Sequence, residues 1–211
     1  MEIICIESIA STHLYMCEAV RNATINKNLA IYALEQTGGI GSRESKWHST
    51  KGNLHLNFCL SLEDLPRDLP LSSVSIYFSF ILKELLSEQG SKIWLKWPND
   101  LYIADKKIGG MMSTRIRDFI VVGVGINIKN APAQAGLLDI NLDLKDFIEL
   151  FIKEIQKKFL WKQIFSKYVI EFEKSKPFSV HHEGKKLPLK EALLYEDGSI
   201  LLDNKRIYSL R

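Results

Sequence analysis

Cysteine is scarce in this chain: Cys5, Cys17 and Cys59 are the only three among 211 residues. Their number is odd and none belongs to a CxxC pair, so neither a disulfide framework nor a zinc site has support. All three are expected to serve as small buried hydrophobes. An excess of one charge sign is lacking too. With 28 basic residues against 25 acidic ones the net charge is +3, too small to argue for DNA or a membrane surface as partner without basic residues gathered on one face. No apolar run approaches the ~20 residues that span a bilayer. The N-terminus MEIICIESIAST has an apolar stretch, but no basic segment precedes it and it carries Glu2 and Glu7, so it does not read as a targeting signal. Internal repeats and low-complexity tracts are missing. A soluble, cytoplasmic protein is expected.

What is present is ordinary globular composition, 46% hydrophobic and 25% charged, with room for one main domain and a small appendage. Residues 2–6 are apolar and β-branched enough for a strand. Ser11-Thr12 then offers an N-cap for a helix to about Arg21, with Leu14, Cys17 and Val20 on one face. Residues 29–35 read as a buried strand ending in a glycine-rich loop. Residues 53–62 alternate with period two, as a half-exposed strand does. Helix-spaced apolar residues occupy 71–89, and Gly90 stops them. Three strands are expected at 92–97, 108–116 and 119–128, the last two as a hairpin because only Arg117 and Asp118 separate them. Helix returns over 144–174 in two pieces. From Lys176 onward, short strands at 178–180, 191–195, 199–202 and 205–210 alternate with the turns Glu183-Gly184 and Asp197-Gly198. They suggest a small barrel-like module that must dock on the main domain. The fold class is α+β with a mixed or mostly antiparallel sheet, divided at 1–175 and 176–211.

Three stretches carry chemistry. The loop Gly38-Gly39-Ile40-Gly41-Ser42-Arg43 follows a strand, and its glycines let backbone N–H groups approach an anion closely; Gly-Gly also marks ordinary loops. It is no dinucleotide fingerprint, which would need glycine at Glu44, and no GxxxxGK[ST] occurs, so any nucleotide is held without a P-loop. In Lys96-Trp97-Pro98-Asn99-Asp100 the proline ends a ladder and presents an amide beside a carboxylate, a pair suited to an adenine edge and Mg²⁺, or simply to an Asx turn. Lys107 follows in an expected hairpin turn shared with Lys106. Turn lysines are usually just solvated, but Gly109-Gly110 directly after it implies close approach to the backbone, which makes Lys107 a candidate clamp on phosphate. The strand Val122-Gly123-Val124-Gly125-Ile126-Asn127 repeats that signal and ends on a polar residue.

KWPND, then a lysine with Gly-Gly, then GVGIN, in this order and spacing, resembles the catalytic domain of biotin–protein ligases. The likeness begins at Ser11-Thr12, runs through Glu35-Gln36-Thr37 and Trp47, and ends at Ala192–Gly198 in the C-terminal module. It implies a class II synthetase-like α+β domain with an SH3-like C-terminal barrel, ATP and Mg²⁺ as cofactors, biotin as substrate, and a biotin carboxyl carrier protein domain as partner. By the same likeness Ser11, Thr12 and Gln36 line the ureido pocket, and Gly39, Ile40, Gly41 and Ser42 close over biotin. Lys107 contacts the biotin carboxylate and α-phosphate. Arg43, Trp47, Asn99, Asp100, Gly110 and Asn127 fall on the nucleotide side, and Asp100 is a candidate base for transfer to the acceptor lysine. Because Ser11-Thr12 lies so near the start, a monofunctional enzyme without a DNA-binding domain is expected.

Rival readings are a lipoate–protein ligase, disfavoured because the glycine triplet after paired arginines is absent, a catalytically silent SH3-containing binding module, and a DNA-binding regulator. The chain also departs from the family pattern. His13 stands where asparagine is frequent and Thr114 where glutamate is common. The loop, typically GRGRxG, puts Ser42 where an arginine usually retains the adenylate and leaves Arg43 as its one cation. Biotinyl-AMP is therefore expected to dissociate faster than from arginine-bearing relatives. Stopped-flow release kinetics check this, and a matching half-life contradicts it.

Overall fold

The structure, a computed structural model, describes residues 1–41, 46, 47 and 49–209. Among these, seven strands form the main sheet: β1 (Glu2–Ile9), β2 (Leu29–Gln36), β3 (Leu54–Ser61), β4 (Trp94–Lys96), β5 (Asp100–Ile103), β6 (Lys106–Ile116) and β7 (Phe119–Ile126). Their order is β1-β2-β3-β7-β6-β5-β4. β1 and β2 are parallel and every other neighbouring pair is antiparallel. A parallel pair needs a crossover, and α1 (Thr12–Arg21) supplies it. Ser11 caps α1, its Oγ accepting from the Leu14 N–H at 3.4 Å.

Alternation along β3 and β7 separates two different faces. Leu54, Leu56, Phe58 and Leu60, with Ile120, Val122, Val124 and Ile126, join the main core. There they meet α2 (Val74–Glu88), α3 (Leu144–Ile155) and α4 (Trp161–Phe172). Phe58 makes the junction, its ring edge-on to Phe78 of α2 at 5.1 Å and to Phe151 of α3 at 6.1 Å. On the opposite face Cys59 and Val121 pack with Met16, Cys17 and Val20 of α1. So β3 is not the half-exposed strand its alternation suggests. Seven of its eight residues are buried, because α1 and a cleft cover the face on which its polar residues lie.

Other expectations also change. β5 was not anticipated, and it moves the turn to Ala104-Asp105, with Ala104 at φ 50°. Lys106 and Lys107 consequently lie on β6 rather than in the turn. The Arg117-Asp118 hairpin forms as read, Ile116 pairing Phe119. Cys17 and Cys59 are buried, whereas Cys5 is exposed on β1. No helix among the described residues is long and apolar enough to cross a membrane.

The expected C-terminal SH3-like barrel is not found: among the described residues no sheet closes. β8 (Ser179–His182) pairs only with β9 (Lys185–Pro188), while β10 (Leu193–Leu194), β11 (Ile200–Leu202) and β12 (Lys205–Ile207) form a separate three-stranded sheet. Strands of two to four residues are too short to curl around an interior of their own. They turn their apolar side chains outward onto the main body, and Val180, Leu189, Ala192, Ile200, Leu202 and Ile207 join its core. Two indoles fasten the contact, Trp97 Nε1 donating to Gly198 O at 2.9 Å and Trp161 Nε1 to Glu196 O at 2.7 Å. Leu210, read as the end of the last strand, lies outside the described residues.

Candidate active site

The register of the sheet assembles the site. On the face opposite the main core, one cross-strand row runs Lys96, Asp100, Gly110, Gly125, His55 through β4, β5, β6, β7 and β3. The next row along brings Met112, Gly123 and Asn57 side by side. Two glycines in one row and one in the next leave a trough, because side chains of a pleated sheet would otherwise stand perpendicular to it. Where Gly125 would carry a Cβ, the Trp47 indole lies at 2.7–2.9 Å, and at Gly123 the Asn57 Nδ2 lies at 2.7 Å and His13 Nδ1 at 3.0 Å. These are the close approaches that the glycine pattern implied. A Cβ at Gly109 would meet Gly125 O at 2.5 Å, whereas one at Gly110 would meet nothing nearer than Asn99 O at 3.4 Å.

The resulting cleft, open to solvent at its mouth, spans about 630 Å³. Ser11, Thr12, Gln36, Ile40, Gly41, Trp47, Asn99, Asp100, Lys107 and Gly110 all line it, drawn from five separate stretches of chain. At its rim Lys107 Nζ meets Asp100 Oδ1 at 2.5 Å, while Lys96 Nζ stands 3.5 Å from Asp100 Oδ2. The Asn99 amide donates to Met111 O, fixing the turn against β6. At the other end the Thr12 N–H and hydroxyl both donate to Gln36 Oε1, at 2.8 and 2.9 Å, and Gln36 Nε2 donates to Ser49 Oγ at 2.9 Å. Gly39 does not line the cleft. It closes the neck of the loop, its carbonyl accepting from the Trp47 N–H at 2.9 Å with Ser49 Oγ packed where a Cβ would be. Asn127 also sits off the cleft, its amide donating to Gly136 O at 3.3 Å and its carbonyl accepting from the Leu138 N–H. Ser42 and Arg43 lie outside the described residues.

Several lining residues escaped the sequence reading, namely His13, His55, Asn57 and Met112. The two departures from the family pattern, His13 and Thr114, prove to be partners, His13 Nε2 lying 3.1 Å from Thr114 Oγ1. Asn57 Nδ2 donates to His13 Nδ1 at 3.1 Å. Burial pushes His13 down to about 4, and the ring is therefore neutral. His55 is also lowered, by burial first, against the opposing pull of the Thr50 carbonyl. A second cleft of about 1340 Å³ shares Asn99, Asp100, Lys107 and Met112 with the first and opens beside His181 of β8 and Tyr208, which follows β12.

Residues 5–129 match the model of the Biotin/lipoate A/B protein ligase family, and the chain belongs to that family. It is similar to the biotin acetyl coenzyme A carboxylase synthetase of Helicobacter pylori, solved with bound biotinylated ATP: 38% identity, TM-score 0.93, and coverage of 98% of this chain and 99% of that one. The biotin protein ligase of Aquifex aeolicus shares the fold at 24% identity, with a TM-score of 0.77 over 100% of this chain and 96% of that one. Biotin–protein ligase 2 of Arabidopsis thaliana is 39% identical over 120 residues, 53% of this chain and 35% of the relative. The Escherichia coli bifunctional ligase/repressor BirA is 29% identical over 165 residues, 70% of this chain and 50% of the relative. The chain thus spans half or less of the length of these two curated relatives.

The His13 shift has a consequence for stability. Its folded value lies below the unfolded 6.5, so the unfolded chain takes up the proton first. The His13 contribution is complete above pH 6.5 and is lost as pH falls toward 4, by about 3 kcal/mol in all. Urea denaturation between pH 7 and 4.5 should show this slope, and H13Q should flatten it. Parallel curves for the two proteins contradict the assignment.

Proposed function

We propose that this chain is an ATP-dependent biotin–protein ligase. It joins the biotin carboxylate to the α-phosphate of ATP, releasing pyrophosphate, and passes the biotinyl group to a lysine of a carrier-protein domain of a biotin-dependent carboxylase, releasing AMP. The observation that carries this reading is the Lys107–Asp100 pair at the rim of a glycine-floored cleft. A carboxylate attacking a phosphorus already ringed by anionic oxygens needs positive charge in place before the transition state forms. Lys107, 39% exposed in its side chain, can leave Asp100 for the ligand without unfolding anything. Ser11, Thr12 and Gln36 frame the biotin end, with Ile40 and Gly41 beside it. Trp47, Asn99, Asp100 and Gly110 lie toward the nucleotide.

Among the described residues no group of three or more His, Cys, Asp or Glu could hold a metal ion. Mg²⁺ is ordinarily held by one or two carboxylates together with the nucleotide phosphates, and Asp100 is the carboxylate at this rim. In the second half-reaction a neutral acceptor amine attacks the carbonyl carbon of the mixed anhydride and AMP leaves. The second cleft reaches Lys107 and Asp100 from the side of the C-terminal strands, a route for the acceptor lysine that avoids the first cleft. Both Asp100 oxygens face lysine ammonium groups, which suits a role in holding the incoming amine more than one as a free base. The reaction belongs in the cytoplasm, with its ATP and newly made carrier.

Mass spectrometry after incubation with biotin, ATP and Mg²⁺ tests the reading, with lipoate run alongside. Biotinyl-AMP is the expected product, and K107A should slow its formation at least ~100-fold, the scale of losing a charge aimed at the transition state. An adenylate from lipoate alone transfers the reading to that substrate, and wild-type rates in K107A remove Lys107 from the mechanism.

A further inference from the structure

β4 is the last strand of the main sheet, so backbone pairing reaches it from one side. Pairing with β5 sets its register and places Lys96 opposite Asp100. An edge strand ordinarily leaves its outward amides to water, and buried amides must find acceptors elsewhere. Here the Leu95 N–H donates to Glu171 Oε1 and the N–H of Trp97, the residue after β4, donates to Ser175 Oγ, each at 2.9 Å in a buried setting. Glu171 lies in the last turn of α4, and Ser175 ends the single helical turn Glu173–Ser175 that continues it.

Both acceptors are buried, Glu171 at 6% exposure and Ser175 at 0%. A buried carboxylate needs further partners. Glu171 Oε2 has Lys174 Nζ at 2.9 Å and Lys83 Nζ of α2 at 3.7 Å, so one carboxylate joins α2, α4 and β4. The two amides it and Ser175 hold flank Lys96. Leu95 and Trp97 turn their side chains into the main core, whereas Lys96 turns the other way, its Nζ 3.5 Å from Asp100 Oδ2. Asp100 in turn meets Lys107. An outward shift of β4 would therefore displace a lysine beside the carboxylate on which Lys107 rests.

We propose that Glu171 and Ser175 are positioning residues for adenylate formation, holding the edge strand so that Lys96 and Asp100 stay in place beside Lys107. They serve the nucleotide half of the site. Ser11, Thr12 and Gln36 stand at the start of α1 and the end of β2, on the far side of the sheet order, and do not depend on this contact. The proposal rests on the reading of the Lys107–Asp100 rim as the nucleotide side. Glu171 acts through its hydrogen bond rather than its charge. If that charge is removed, Lys83 keeps Glu84 at 2.9 Å, and Lys174, half exposed, turns to water.

Calorimetric titration with biotin, and with a non-hydrolysable ATP analogue at saturating biotin, tests the proposal, alongside adenylation kinetics and melting temperatures. E171Q keeps an acceptor of the same shape and should bind the analogue within about threefold of wild type. E171L and S175A each leave a buried amide unpaired. They should weaken analogue binding and slow adenylation at least about tenfold, as small displacements of a charged site do, while biotin affinity stays within about twofold. A purely structural role lowers the melting temperature and weakens both ligands together, and that result overturns the proposal. So does wild-type affinity for the analogue in folded S175A or E171L, and so does a tenfold loss in E171Q, which would make the charge the active feature. If E171L fails to fold, S175A, which removes one oxygen atom, decides alone. A wild-type protein that forms no biotinyl-AMP removes the functional reading and this proposal with it, a result distinct from any difference among the variants.

Discussion

The pairing of β3 with β7 is the constraint on which the rest depends. Eight residues of each strand pair in register from Leu54–Ile126 to Ser61–Phe119, and a slip by one residue would exchange the faces of both strands. In the register adopted, every second residue faces three helices and supplies the core, from Leu54 to Leu60 on one strand and from Ile120 to Ile126 on the other. The intervening residues face α1 at one end and the cleft at the other. The hydrophobic effect that fixes the register therefore also places Gly123, Gly125, His55 and Asn57, although none of these four contributes much apolar area.

The candidate site is the continuation of that ladder. Once β7 is placed, β6, β5 and β4 add by antiparallel pairing, and the row from His55 to Lys96 is completed by backbone hydrogen bonds alone. Among the described residues charge gathers at the far end, where Asp100 stands between Lys107 and Lys96. The opposite end holds neutral polar groups, among them a histidine that burial keeps uncharged. One end of the trough thus suits phosphate and the other an uncharged ring, a polarity that matches an acid joined to a nucleotide.

Much of this was legible in the sequence, because local chemistry governed it. Ser11 caps its helix, the KWPND turn sets Asn99 and Asp100 at a strand end, and the glycines of GVGIN mark close approach at Gly123 and Gly125. The clearest error came from judging burial by polarity. His55 and Asn57 made β3 look half exposed, yet they face an internal cleft rather than solvent. The C-terminal strands looked like a barrel because they form a run of short strands joined by turns, while the surface that covers them belongs to the main body. Only long-range partners distinguish these cases, and spacing along one chain does not contain them. The pairing of His13 with Thr114, 101 residues apart, is of the same kind.

The central claim is that the missing side chain at Gly125 makes the ligand trough, with the Trp47 indole closing over it. A methyl group there meets the ring at 2.7–2.9 Å, and a rigid indole can yield only by moving as a whole. The direct measurement is calorimetric binding of biotin and of a non-hydrolysable ATP analogue to G125A, with its melting temperature recorded beside wild type. The account predicts a folded protein with a similar melting temperature and binding weakened at least about tenfold, as expected when a site is displaced by roughly an ångström. Wild-type affinity for both ligands in G125A would contradict it.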